Sequence, residues 1–276
     1  MISNTTIVTC LITFILCTLV PPTISLIFAR NNKGSKIVSA WLLGAAGFFV
    51  TQFLIRVPIL TALQFQPWFV SFSQNHLFGY AFTLAFTAGL FELAGRFLVA
   101  KLMRRNLNYK RSFAAGLGHG SIEAMLLVGT TYLNNIIYIF MINSGTFDTL
   151  VAQAAATGMD VSSLWQIKDT LLQASPLLFL LASYERALAM TAHLAMSLIV
   201  CYGIHCGKPV KSALLCLGIH TLLDLTAGIS MISGTALSQT AAYVMIYTIL
   251  TIMAVLSILI IRNIRRRWQE TEVAHV

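Results

Sequence analysis

The sequence predicts an all-α polytopic transmembrane helix bundle of about seven spans, with the amino terminus outside and the carboxyl terminus in the cytoplasm. Three observations carry that expectation. Hydrophobic residues make up 57% of the 276 and charged residues only 10%, with a mean hydropathy of +0.80, far from the balance of a water-soluble domain. Apolar runs long enough to cross a bilayer recur at about 5–29, 37–60, 77–100, 112–142, 174–204, 212–233 and 238–261. The basic residues alternate between connections. Arg30, Lys33 and Lys36 follow the first run, and Lys101, Arg104, Arg105, Lys110 and Arg111 follow the third. Lys208 and Lys211 follow the fifth, and Arg262, Arg265, Arg266 and Arg267 follow the seventh. The other connections, 64–76, 143–173 and 232–238, hold Lys168 as their one lysine. Basic loops stay in the cytoplasm, which sets the orientation.

Taken in order, the first run lacks a positive leading region and is too long for a cleavable signal peptide. Pro21 and Pro22 within it predict a kink or a break. Arg56, near the outer end of the second run, is expected to snorkel. The long connection 143–173 is expected outside the membrane, with amphipathic helices over Phe147–Ala156 and Ser162–Leu172. Trp68, Trp165 and Trp268 near the run ends suit an interfacial aromatic belt. Cys10, Cys17, Cys201, Cys206 and Cys216 have no zinc-type spacing and read as inert thiols. No repeat or linker divides the chain, so residues 1–276 read as one integral domain in the lipid bilayer. The net charge of +9 sits in membrane-flanking loops without interleaved aromatics, which argues against nucleic acid as a partner.

Four runs carry ionisable groups where each costs a few kcal/mol or more, and such groups usually serve a site. Glu92 and Arg96, His119 and Glu123, and His220 and Asp224 are each four residues apart, so each pair shares one helix face. Glu185, Ala189 and His193 form a stripe, with Arg186 one register away. At about 1.5 Å per residue, Glu92, His119, His193 and His220 fall roughly 11–18 Å from the basic ends of their runs. Helices of alternating direction thus place them in one slab, in the cytoplasmic half.

A metal held by His119, His193, His220 and Asp224 would lower the pKa of water and polarise a carbonyl, as peptide hydrolysis requires. A buried glutamate serving as base, with histidines and arginine stabilising an oxyanion, would do the same work without metal. Glu92, Glu123 and Glu185 are the candidate bases, with Arg96 and Arg186 beside them. Ser121 and Ser197 lack the setting of a serine nucleophile. A proton-coupled transporter would use the same polar cluster, and a non-catalytic membrane partner or immunity protein would retain parts of it.

Gly116-Leu-Gly-His119-Gly-Ser-Ile-Glu123-Ala124, then Glu185-Arg186 with Ala189, His193 and Ser197, then His220-x-x-x-Asp224, resemble the three signature segments of the YhfC family. Those bacterial membrane proteins are classed as intramembrane metalloproteases and are distantly similar to the CAAX prenyl protease/Abi superfamily. The resemblance implies a peptidase of the bacterial cytoplasmic membrane, with zinc or another divalent metal and a membrane-associated peptide or protein substrate. It casts Glu92 as water-activating base and Arg96 as its partner, and His193, His220 and Asp224 as metal ligands or oxyanion stabilisers. One departure stands out: the superfamily pairs adjacent glutamates, whereas Phe91 and Leu93 flank Glu92.

Overall fold

The structure, a computed structural model, describes residues 1–34, 36–232 and 238–273. The connection expected at 232–238 lies almost wholly outside them, as does His275. Among the described residues seven helices are long and apolar enough to cross a membrane: Asn4–Asn31, Ile37–Leu63, Leu77–Leu102, Tyr109–Ser144, Pro176–His205, Pro209–Ile229 and Gln239–Thr271. They are the first to seventh spans below. Their ends follow ordinary helix chemistry. The Ser3 side chain accepts from the Thr6 amide, and Pro67, Pro176 and Pro209 open helices where a missing N–H costs nothing. The proline pair breaks the first span into Asn4–Thr18 and Val20–Asn31.

The chain divides into two compact units. The first comprises Met1–Pro21 and Ala124–Arg186. In it Asn4–Thr18 packs on Ala124–Ser144 of the fourth span. The Thr13 and Tyr132 hydroxyls both donate to the Phe179 carbonyl, at 2.8 and 2.7 Å, and so tie helices together where no water competes. Gly145, at φ 79°, ends the fourth span, a conformation that glycine adopts without strain. Two short helices follow, Phe147–Ala156 and Ser162–Gln173, which bury Phe147, Val151 and Leu171.

The second unit comprises Pro22–Glu123 and Ala187–Val276. Here the second span packs on the fourth and the third on the sixth. The second and fourth spans touch backbone to backbone. A Cβ on Gly44 would lie 1.9 Å from the Ala115 carbonyl oxygen, and one on Gly118 would lie 2.0 Å from that of Trp41. Only glycine permits that approach, so the small residues of Gly116–Gly120 set how close His119 comes to its neighbours.

Three readings change. The last helix continues to Val273, so Arg262, Arg265, Arg266 and Arg267 ride on it rather than follow it. Trp268 is 1% exposed and not part of a lipid-facing belt, because Tyr109, Tyr202 and His205 enclose its ring. Arg56 does not snorkel. Its NH2 donates to the Leu84 carbonyl at 2.7 Å and its NH1 to Gln52 Oε1 at 3.3 Å, which turns the guanidinium toward the third span and Gln52.

Candidate functional site

Seven of the polar residues singled out in the sequence come together in the second unit: Glu92, Arg96, His119, Glu123, His193, His220 and Asp224. Glu185 and Arg186 belong to the first unit, where they pair with each other. The focus is Glu92 Oε2, on a side chain 4% exposed. Around it stand His220 Nε2 at 2.8 Å, His119 Nε2 at 2.9 Å, Arg96 NH2 at 3.0 Å and His193 Nδ1 at 3.4 Å. His193 Nε2 reaches Glu123 Oε2 at 3.1 Å, and His220 Nδ1 lies 3.4 Å from Asp224 Oδ2. The rings hold one another in place. His119 stacks on His193 with centroids 5.4 Å apart, His193 meets His220 edge-on at 5.3 Å, and Phe48 abuts His119 at 5.1 Å.

Two residues outside the candidate set read from the sequence, Gln52 and Arg56, complete the surroundings. Gln52 is buried, and its Nε2 donates to Glu92 Oε1 at 3.1 Å and to the Ala88 carbonyl at 3.0 Å. Its own oxygen accepts from Arg56. Arg56, Gln52 and Glu92 thus form a line that fixes the second carboxylate oxygen and leaves Oε2 for the histidines. Gln52 lies in Phe49–Arg56, a π-helical stretch of the second span. A second π-helical stretch, Ala124–Gly129, begins directly after Glu123. Such stretches turn the residues around them away from the 3.6-residue register and are frequent at functional sites.

The donor set fits a divalent metal. Arginine only donates, so the ring nitrogens of His119 and His193 that face Arg96 NH2, at 3.0 and 2.6 Å, present lone pairs there. The same two nitrogens face a carboxylate oxygen that also offers only lone pairs. Ring nitrogens gathered at 2.8–3.4 Å around one carboxylate oxygen are at the spacing of a cation's ligands. Ligand atoms around a tetrahedral ion with bonds of about 2.0–2.1 Å stand roughly 3.3 Å apart. Glu92, His119, Glu123 and His193 can each offer one atom within 4.8 Å of the others, and all four are buried. Asp224 is half-buried and lies on the far ring nitrogen of His220, where it would fix that ring's tautomer rather than reach the same point.

Arg96 also keeps donors in reserve. Its Nε and NH1 are buried without a hydrogen-bond partner among the described residues. A cavity of about 10 Å³, lined by Gly44, Arg96, Val99, His119, Ser197 and Cys201, adjoins them. That is room for about one water molecule.

Glu92 is the point where the line from Arg56 meets the histidines, so Gln52→Ala should loosen it without deleting any charge. Outer partners of metal ligands are worth about 10–100-fold in metal affinity. A chelator competition on the purified protein is expected to show a loss in that range, with the fold preserved. An unchanged affinity would mean that Gln52 serves packing alone.

Fold and site together define a multi-pass membrane protein with a buried glutamate, histidine and arginine centre able to hold a metal. The YhfC intramembrane metalloprotease family model matches residues 16–250, and the chain belongs to that family. It is 28% identical over 205 residues, 74% of this chain and 78% of the relative, to the uncharacterized membrane protein YhfC of Bacillus subtilis (strain 168). No solved structure matches.

Proposed function

We propose that the protein hydrolyses a peptide bond in or beside the membrane, using the Glu92 centre in the cytoplasmic half of the bacterial cytoplasmic membrane. The observation that carries this reading is the convergence of three imidazoles and one guanidinium on a single buried carboxylate oxygen. Glu92, His119, Glu123 and His193 would hold the metal, with zinc the candidate and His220 beside it. A divalent cation there would supply Lewis-acid polarisation of a carbonyl and lower the pKa of nearby water.

The chain's own groups account for the rest. Glu92 would serve as the base that accepts the proton of water, while Gln52 holds its other oxygen. The unspent Nε–H and NH1–H donors of Arg96 suit the negative charge that develops on a carbonyl oxygen as it is attacked. Asp224 lies on His220 Nδ1 and so would hold that ring with Nε2 toward the centre. The substrate would be a membrane-associated peptide or protein whose cleavage point reaches this depth.

Terminal-peptide mapping of membranes from cells expressing the wild type or Glu92→Gln tests the activity. New termini inside or next to membrane segments, present only with the wild type, are expected. Identical termini in both would contradict peptide hydrolysis.

A further inference from the structure

A furrow runs between the sixth and seventh spans, wholly within the second unit. Its inner part is a cavity of about 500 Å³ walled by Phe78, Leu222, Thr226, Met253, Leu256 and Ile260, so almost entirely apolar. At the basic end of the same two helices lies a cavity of about 340 Å³, lined by Tyr202, Lys208, Lys211, Asn263 and Arg267. Ile260 lines both, so the two are consecutive stretches of one groove. From Arg267 to Ile249 along the seventh helix is eighteen residues, or roughly 27 Å, enough for a headgroup at the interface and a chain running through the roughly 15 Å of one leaflet.

The charge of the mouth selects the occupant. Lys208, Lys211 and Arg267 are all exposed, and no carboxylate lines either cavity. The acids on that part of the seventh helix are Glu270 and Glu272; Glu270 pairs with Arg266 at 3.7 Å and does not line the cavity. Arg267 is oriented by its Nε–H donating to Asn263 Oδ1 at 3.2 Å. Gly207, at φ 69°, turns the chain so that the sixth helix opens at Pro209, between the two lysines in sequence. Three cations over an apolar slot match a phosphate carrying an acyl chain.

We propose that the groove between the sixth and seventh spans binds one anionic phospholipid, with its phosphate on Lys208, Lys211 and Arg267 and an acyl chain along Ile260, Met253 and Leu222. The sixth helix turns Leu222 and Thr226 to this lipid and His220 and Asp224 to the opposite side, so the lipid would brace a helix of the candidate centre. The inference does not depend on what that centre does.

Native mass spectrometry of the full chain, titrated with phosphatidylglycerol or with phosphatidylcholine of the same chains, tests it. One saturable phosphatidylglycerol per protein, preferred at least about tenfold, is expected. A basic residue near the surface is worth about fivefold, so Lys208→Ala/Lys211→Ala/Arg267→Ala should weaken binding roughly a hundredfold. Lys101→Ala/Arg104→Ala/Arg105→Ala, at the same end of the spans, should leave it unchanged. Met253→Trp, which fills the slot and keeps the cations, should weaken it too. Equal binding of both lipids, equal loss in the two triple variants, or no effect of Met253→Trp would overturn the proposal. Displacement by equimolar inorganic phosphate would make this a free-phosphate site and overturn it as well.

Discussion

Glu92→Gln is expected to abolish metal retention, to lower any peptidase turnover roughly 10²–10⁴-fold, and to destabilise the protein. The three losses have different origins. Turnover falls because the amide cannot accept a proton, and metal is lost because the shared ligand atom at the focus loses its charge. Stability falls because Arg96, 4% exposed, then stands among three histidines with its nearest negative charge gone. Removing one partner of a buried ion pair costs about 3–5 kcal/mol, whereas replacing both with apolar groups is often neutral. Glu92→Gln/Arg96→Met should therefore recover most of the thermal stability and none of the metal or activity. Recovery of metal in the double variant would remove Glu92 from the ligand set.

Gly118→Ala is the second large effect, and it acts one residue from His119. The added Cβ would sit 2.0 Å from the Trp41 carbonyl oxygen, and backbone on both sides leaves no flexible group to yield. The second and fourth spans must separate by about an ångström or more, and overpacking of this kind costs about 1–3 kcal/mol or more. His119 moves with the fourth span, so a lower melting temperature and weaker metal retention are expected together. Gly218→Ala is the control: nothing lies within 4 Å of a Cβ there, and alanine favours a helix by about 1 kcal/mol. Equal destabilisation by both substitutions would mean that the close crossing does not position His119.

Much of this arrangement is legible in the sequence because lipid restricts what a chain can do. Apolar runs must be helices there, so spacing four apart already places Glu92 with Arg96, and His220 with Asp224, on common faces. Depth counted from the loops then puts the groups at one level. Gln52 and Arg56 are not legible in that way. They sit in a π-helical stretch, Phe49–Arg56, whose wider turn brings Gln52 against Ala88 and Glu92 in a register that a 3.6-residue count does not foresee. The stretch Ala124–Gly129 shifts the fourth span in the same manner. Trp268 escapes for another reason. Its helix continues past the apolar run, and only tertiary packing against Tyr109, Tyr202 and His205 draws an interfacial tryptophan inward.

Metal analysis of the detergent-purified protein, wild type beside His193→Ala and His220→Ala, tests the central claim most directly. One divalent metal per chain in the wild type, lost from His193→Ala and reduced or lost in His220→Ala, is the result that the geometry around Glu92 Oε2 predicts. A folded wild type that holds no metal, even after equilibration with excess zinc, would contradict it and leave Arg96 as the only cation of the centre.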